Sequence, residues 1–313
     1  MAISRCTNTG YGTPPCDTEG VTSSLKVWIA GSRPKTLPAA IVPVAVGYAL
    51  VVARHSDELP NVVNALLALV VSFALQVGVN FANDYSDGVK GTDARRVGPL
   101  RLVGSGLVAP GRVKRAAYVS FLVAACAGLG IAATTSWWLI LVGLASIVAA
   151  WTYTGGPNPY GYLGFGEIFV FVFFGVVATI GTTFAVSERI ESLDVIASCV
   201  VGALAVALLI VNNLRDIPTD AQSGKKTLAV RLGDTRTRLL YCLVLLLAVL
   251  GIVVVALTFS WASIGLVGFV FAVRPVASVL RGARGAELIP VLGATARVQL
   301  FVGMLFAFGV VAS

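Results

Sequence analysis

Two stretches of this 313-residue chain end in the same polar signature, Asn80-x-x-x-Asp84-x-x-Asp87 and Asn212-x-x-x-Asp216-x-x-x-Asp220. Each follows a long apolar run. Helical positions i, i+4 and i+7 share a face, so each signature gathers an amide and two carboxylates on one stripe, with Asn83 flanking the first. Carboxylates beside lipid are costly and mark candidate functional sites by default. Two oxygen-only sets suit hard divalent cations, Mg2+ above all, held against a substrate's phosphates. Taken singly, each set has a local alternative. The first acids can cap a helix end or pair with Lys90, Arg95 or Arg96, and Pro218-Thr219-Asp220 can form a turn. A matching pair favours the metal–diphosphate reading. The expected metal ligands are Asn80, Asp84, Asp87, Asn212, Asp216 and Asp220, with the four aspartates as the catalytic groups. Pro218 kinks or ends a helix and is expected to leave Asp220 on a loop.

Basic residues stand beside the acids. Ser223-Gly224-Lys225-Lys226-Thr227 follows Asp220 at once, and its lysines can neutralise a leaving diphosphate, the kind of preorganised electrostatics that dominates such chemistry. This is not a P-loop, since the G-x-x-x-x-G-K-[ST] spacing is absent. Lys90, Asn80, Asn83 and Asn212 join Lys225 and Lys226 as expected substrate-binding groups. Arg33, in Arg33-Pro34-Lys35-Thr36-Leu37-Pro38, can bind a carboxylate or phosphate. The uncharged stretch from Tyr153 to Tyr162 offers Tyr153, whose ring face attracts cations and would favour an allylic carbocation. Tyr160 and Tyr162 read as interfacial anchors.

The elements positioning these groups must be membrane helices. Hydrophobic residues make up 57% of the chain and charged residues 12%, against about 25% charged in an ordinary soluble domain. Nine apolar runs of roughly bilayer-spanning length lie near 37–53, 63–82, 115–134, 136–153, 165–186, 195–213, 238–258, 261–279 and 290–311. They predict an all-α polytopic protein with about nine transmembrane helices in one bundle over 25–313, after a disordered polar segment, 1–24. With the N-terminus cytoplasmic and the C-terminus outside, 21 of the 23 basic residues fall on the cytoplasmic side, leaving Arg54 and Arg189. That obeys the positive-inside rule and places both signatures, hence the active site, at the cytoplasmic face. The net charge of +8 then reflects orientation and lipid contact, and no nucleic-acid partner is required. The five cysteines show no C-x-x-C spacing, so neither a zinc site nor a disulfide framework is indicated.

At this point the residues resemble a known family. The paired Asp-rich signatures are similar to those of the UbiA-type intramembrane prenyltransferases. Four stretches look closest to the branch acting on 1,4-dihydroxy-2-naphthoate in menaquinone biosynthesis. They are Arg33-Pro34-Lys35-Thr36-Leu37-Pro38, the run from Asn83 to Asp93, Tyr153-Thr154-Gly155-Gly156-Pro157, and the run from Gly224 to Gly233. The resemblance covers roughly 25–312. It implies Mg2+ bridging a polyprenyl diphosphate, loss of diphosphate to an allylic cation, and alkylation of the aromatic acceptor with loss of carbon dioxide in a bacterial plasma membrane. Two positions depart from the pattern. Gly91 stands where the superfamily often has a further Asp, leaving Asp93 as a possible substitute, and Asn212 replaces an Asp. Rival readings are another acceptor within the superfamily (4-hydroxybenzoate or phosphoribosyl diphosphate), a CDP-alcohol phosphotransferase, and a transporter. The phosphotransferase opening D-x-x-D-G-x-x-A-R fails at Gly91 and Thr92. Transporters place ionisable groups near the bilayer midplane rather than at helix ends.

Overall fold

Every regular element is helical among the residues that the computed structural model describes, 25–54, 60–92 and 100–313. In chain order they are α1 (Leu25–Ser32), α2 (Pro38–Arg54), α3 (Val62–Val89), α4 (Pro110–Thr134) and α5 (Trp138–Thr152). Then α6 (Gly166–Val170) and α7 (Ala178–Ser187) are joined by a π-helical segment, Phe171–Val177, into one rod. α8 (Ser192–Gln222) and α9 (Leu228–Ala256) follow. A 3₁₀ stretch, Ser260–Ala272, runs into α10 (Val273–Leu280), and α11 (Leu288–Ala312) closes the chain.

Local chemistry sets the ends of these elements. The Asn61 side chain accepts from the Asn64 amide at 3.0 Å, and Thr227 accepts from Val230 at 3.3 Å, so each is the N-cap of the helix it precedes. Pro110 opens α4, where its missing N–H costs nothing. Gly91 closes α3 with φ 71°, a left-handed residue of the sort that ends helices. Glycine adopts that conformation freely, whereas most residues with a Cβ do so at a steric cost.

Seven described helices are long and apolar enough to cross a bilayer, or eight if the pair Leu25–Thr36 and Pro38–Arg54, bent by 52°, is one span. Each of the nine expected runs does hold helix. α5, however, has 15 residues, a rise of about 22 Å against a hydrocarbon core of about 30 Å. Its first turn exposes Trp137 and Trp138, the amphipathic rings favoured at headgroup level.

The centre of the bundle is α8. Its apolar window is 78% buried, while that of α3, α4 or α9 is 33% buried. α8 packs on α2, the α6–α7 rod, α9 and α11, and the largest apolar cluster is built along it with Val42, Tyr241, Ile252, Val298 and Phe306. At the end of α8 away from the acidic signature, Asp194 is fully buried and pairs with Arg54 of α2 at 2.7 Å, with Glu191 also on Arg54 at 3.2 Å. Removing one partner of a buried pair leaves an uncompensated charge, which costs about 3–5 kcal/mol. Arg54→Met is therefore expected to lower the thermal midpoint clearly, and Arg54→Met with Asp194→Leu to recover most of the loss. Equal midpoints for wild type and Arg54→Met would show that water replaces the arginine.

Candidate active site

The C-terminal ends of α3 and α8 converge on one cavity of about 790 Å3, which both signatures help to line. Its polar end carries Asn80, Asn83, Asp87, Arg101, Asn212, Asp216, Asp220 and Lys225. Its body is apolar, walled by α3, α4, α5 and the α6–α7 rod. On α3 the lining runs from Asn80 back to Ala68, an axial distance of about 18 Å at 1.5 Å per residue. One space therefore offers charge at one end and room for a long hydrocarbon along the rest.

Asp87 is the hub of the first set. It is 3% exposed, its Oδ1 is 3.1 Å from Lys225 Nζ, its Oδ2 is 3.5 Å from Arg101, and Tyr162 Oη donates to Oδ1. Lys225 and Lys90 both lie over the Tyr162 ring, at 4.5 and 4.9 Å from its centroid, so Tyr162 braces two cations and an acid. Lys90 also donates to the carbonyls of Thr154 and Gly156, at 2.8 and 3.3 Å. Burial lowers its pKa, against the pull of Asp87 and with the push of Lys225. Asn83 accepts from Thr154 Oγ1 at 2.7 Å, so Thr154 ties the loop after α5 to the end of α3.

Asp84, expected among the metal ligands, is placed differently from Asp87. It is fully buried and does not line the cavity. Its carboxylate accepts from the backbone amides of Leu102 and Val103, at 2.8 and 2.9 Å. This folds the segment after residue 100 onto α3 and brings Arg101 to Asp87. Gly88 lets that segment approach, since a Cβ there would lie 2.4 Å from Val103.

The second set differs from expectation in one respect. α8 runs through Pro218 to Gln222, so Asp220 lies on the helix, on the cavity-facing stripe. Proline withholds only the hydrogen bond to the carbonyl four residues back, and the helix has a single turn left to lose. Asp216 is gripped by the adjacent Arg215, whose Nε and one terminal nitrogen each lie 2.7 Å from a carboxylate oxygen, while the same terminal nitrogen donates to Asn212 at 2.9 Å. Behind it, Asn213 donates to buried Glu167 at 2.9 Å.

Arg33 and Tyr153 both line the cavity. Arg33 is a non-glycine residue at φ 54°, a left-handed conformation that costs about 1–3 kcal/mol and clusters at functional sites. One of its terminal nitrogens is buried with no hydrogen-bond partner. Tyr153 meets Tyr160 edge-on at 5.4 Å, Tyr160 stacks on Phe169 at 3.9 Å, and Phe169 on Phe173 at 6.0 Å. This aromatic wall leads from the polar end into the apolar body. Lys226 is exposed outside the cavity, with its amide bonded to the Tyr162 carbonyl. Asp93 and segment 1–24 lie outside the described residues.

Four site groups escaped the sequence reading: Arg101, Tyr162, Arg215 and Tyr160. Arg101 and Arg215 are ordinary positive-inside residues by sequence. The tyrosines sit at a span end, where tyrosine is routine, and the one available signal was their nearness to Tyr153.

The donors present fit a hard cation. Among the described residues no group of three or more His, Cys, Asp or Glu could by itself hold a metal ion. Mg2+ does not need one, because it takes one or two carboxylates and completes its shell with water and phosphate oxygens. Asp87 on one side and Asp216 with Asp220 on the other meet that demand, with amide oxygens of Asn80 and Asn212 nearby.

Comparison with known proteins agrees with this geometry. The pattern of the UbiA prenyltransferase family matches residues 40–288. The 1,4-dihydroxy-2-naphthoate octaprenyltransferase of Mycobacterium tuberculosis is 49% identical over 280 residues, covering 89% of this chain and 94% of that one. Among solved structures, the UbiA homolog from Aeropyrum pernix superposes with a TM-score of 0.65 at 14% identity, covering 84% of this chain and 96% of that one. The homolog from Archaeoglobus fulgidus bound to GPP and Mg2+ superposes at 0.55 and 15% identity, covering 92% and 100%. The chain belongs to the UbiA prenyltransferase family.

Proposed function

We propose that the protein transfers a polyprenyl group from polyprenyl diphosphate to 1,4-dihydroxy-2-naphthoate, releasing diphosphate and carbon dioxide and giving demethylmenaquinone. The observation that carries this reading is the continuity of the cavity, with an oxygen-rich, cation-ringed end opening through an aromatic wall into an apolar body. The name of the Mycobacterium tuberculosis relative, so similar along its length, supports the choice of acceptor.

The roles follow from placement. Lys225, Arg101 and Lys90 surround Asp87 and would bind the diphosphate, taking up charge as it leaves. Asp87, Asp216 and Asp220, with Asn80 and Asn212, would hold Mg2+, which supplies neutralisation of the departing diphosphate. Asp84 would support this group by anchoring the segment that carries Arg101. The faces of Tyr153 and Tyr160 would stabilise the allylic cation in a space that apolar side chains keep free of water. Arg33 would take the acceptor's carboxylate, for which its planar guanidinium is shaped. Lys226, exposed on the same loop, suits contact with anionic lipid or the incoming diphosphate. The same reading sets one domain over 25–313 in a bacterial plasma membrane, crossing it nine times if the bent pair Leu25–Thr36 and Pro38–Arg54 counts as one span and α5 as another. The N-terminus and active site are then cytoplasmic and the C-terminus is outside, because the basic residues collect at the end that holds the site.

The test is mass spectrometry of products from membranes given one polyprenyl diphosphate and, in turn, 1,4-dihydroxy-2-naphthoate, 4-hydroxybenzoate and phosphoribosyl diphosphate. Prenylated, decarboxylated product is expected from the naphthoate alone and only with Mg2+ or Mn2+. Full turnover in excess chelator would remove the metal from the mechanism, and product from another acceptor would reassign the substrate.

A further inference from the structure

Gln76 lies one turn further into α3 than Asn80, on the same stripe, and lines the cavity while only 5% exposed. No reading above gives it a role. Its Nε2 donates to Thr36 Oγ1 at 2.9 Å, and Asn80 Nδ2 donates to the same oxygen at 3.0 Å. Thr36 has one hydroxyl hydrogen, which goes to the Arg33 carbonyl at 2.9 Å. Its oxygen can therefore only accept from both amides. That requirement fixes which way each amide is turned, a choice otherwise made from hydrogen-bond networks alone. Gln76 must then direct Oε1 away from Thr36, as a hydrogen-bond acceptor on the cavity wall. The same Thr36 bond holds the turn from which Arg33, with its buried unpartnered nitrogen, lines the cavity. An anion-binding guanidinium and a fixed neutral acceptor are thus coupled through one threonine.

We propose that Gln76 is a specificity-determining residue that reads a ring hydroxyl of the aromatic acceptor. This rests on the acceptor assigned above. In a 1,4-dihydroxy-2-naphthoate the hydroxyl next to the carboxylate donates to it internally. The hydroxyl on the far side of the ring is left as the outward donor, and it meets Gln76 Oε1 while the carboxylate meets Arg33. A buried acceptor left unmet penalises any ligand lacking that hydroxyl, and such penalties discriminate more strongly than apolar shape does.

The experiment compares 1,4-dihydroxy-2-naphthoate with 1-hydroxy-2-naphthoate, which keeps the carboxylate and the internal hydrogen bond but lacks the outward hydroxyl. Product from the dihydroxy compound with wild-type membranes is measured first, and its absence would sink the acceptor assignment rather than the role of Gln76. The KM for the dihydroxy acceptor and the competitive Ki of the monohydroxy analogue are then measured for wild type, Gln76→Leu and Gln76→Met. The KM for prenyl diphosphate serves as a check that the variants are folded. Wild type is expected to favour the dihydroxy compound by roughly tenfold, the size of one well-made hydrogen bond. Both variants should lose that preference by weakening the dihydroxy compound alone. The proposal is overturned if the preference survives in both variants, if both naphthoates weaken equally, or if wild type shows no preference.

Discussion

Asp216→Ala is expected to lower kcat by ~100–1,000-fold, the usual cost of removing one preorganised electrostatic contact from a transition state. Asp216 sits where the α8 stripe meets the cavity, and holding the leaving group matters most as its charge develops. The alanine also strands Arg215, a side chain just 1% exposed, with Asn212 as its remaining acceptor. A stability loss of about 3–5 kcal/mol should accompany the loss of rate. Asp216→Asn separates the two effects, because it keeps the shape and one acceptor for Arg215 but removes the charge. It should melt between wild type and Asp216→Ala, since it loses one of two acceptors for Arg215, and still lose most turnover. Wild-type kcat in Asp216→Asn at saturating Mg2+ would reduce Asp216 to a structural partner of Arg215.

Asp87→Asn should be comparably damaging. The carboxylate organises Lys225, Arg101 and Tyr162 together, and its loss leaves two cations repelling each other around the space proposed for diphosphate. A fall in kcat of ~100-fold or more is expected, with a shift in the Mg2+ concentration needed for half-maximal rate. Asp84→Asn should behave differently. It loses charge from a carboxylate that accepts two backbone amides, so its main effect belongs in thermal stability, at about 1–3 kcal/mol for an amide left facing a donor. If Asp84→Asn were as slow as Asp87→Asn while melting at the wild-type temperature, Asp84 would have to reach the substrate in a state other than this one.

What the sequence made legible is what helical geometry alone determines. The i, i+3, i+7 spacing places Asn80, Asn83 and Asp87 on one face, and i, i+4, i+8 aligns Asn212, Asp216 and Asp220. Repetition of polar groups at the ends of apolar runs was enough to suggest facing clusters. Pairings across the chain were not legible. Asp84 is turned toward Leu102 and Val103 by a segment whose path no periodicity predicts. Arg215 grips Asp216 although neighbours in a helix do not ordinarily face each other; the long arginine stem curls back because both groups are buried. Tyr162 was hidden by its ordinariness, since a tyrosine at a span end has a sufficient explanation without Asp87. Pro218 misled because the cost of proline depends on how much helix remains to be disrupted. The length of α5 was not legible either, because the apolar run 136–153 includes flanking residues that lie outside the helix Trp138–Thr152.

The central place of α8 carries a consequence for biosynthesis. Chains are made from the N-terminus and fold progressively as they emerge, yet the post around which α2 and the α6–α7 rod pack begins at Ser192. Early in synthesis the extensive α3–α4 pairing can form, but Asp87 waits for Lys225, supplied 138 residues later. During that interval the nascent α3 must carry its acids without that partner. Their location in the last turns of the helix, at one end of the apolar span instead of its middle, makes the half-built protein tolerable to a membrane. The position of these acids is therefore constrained by manufacture as well as by packing.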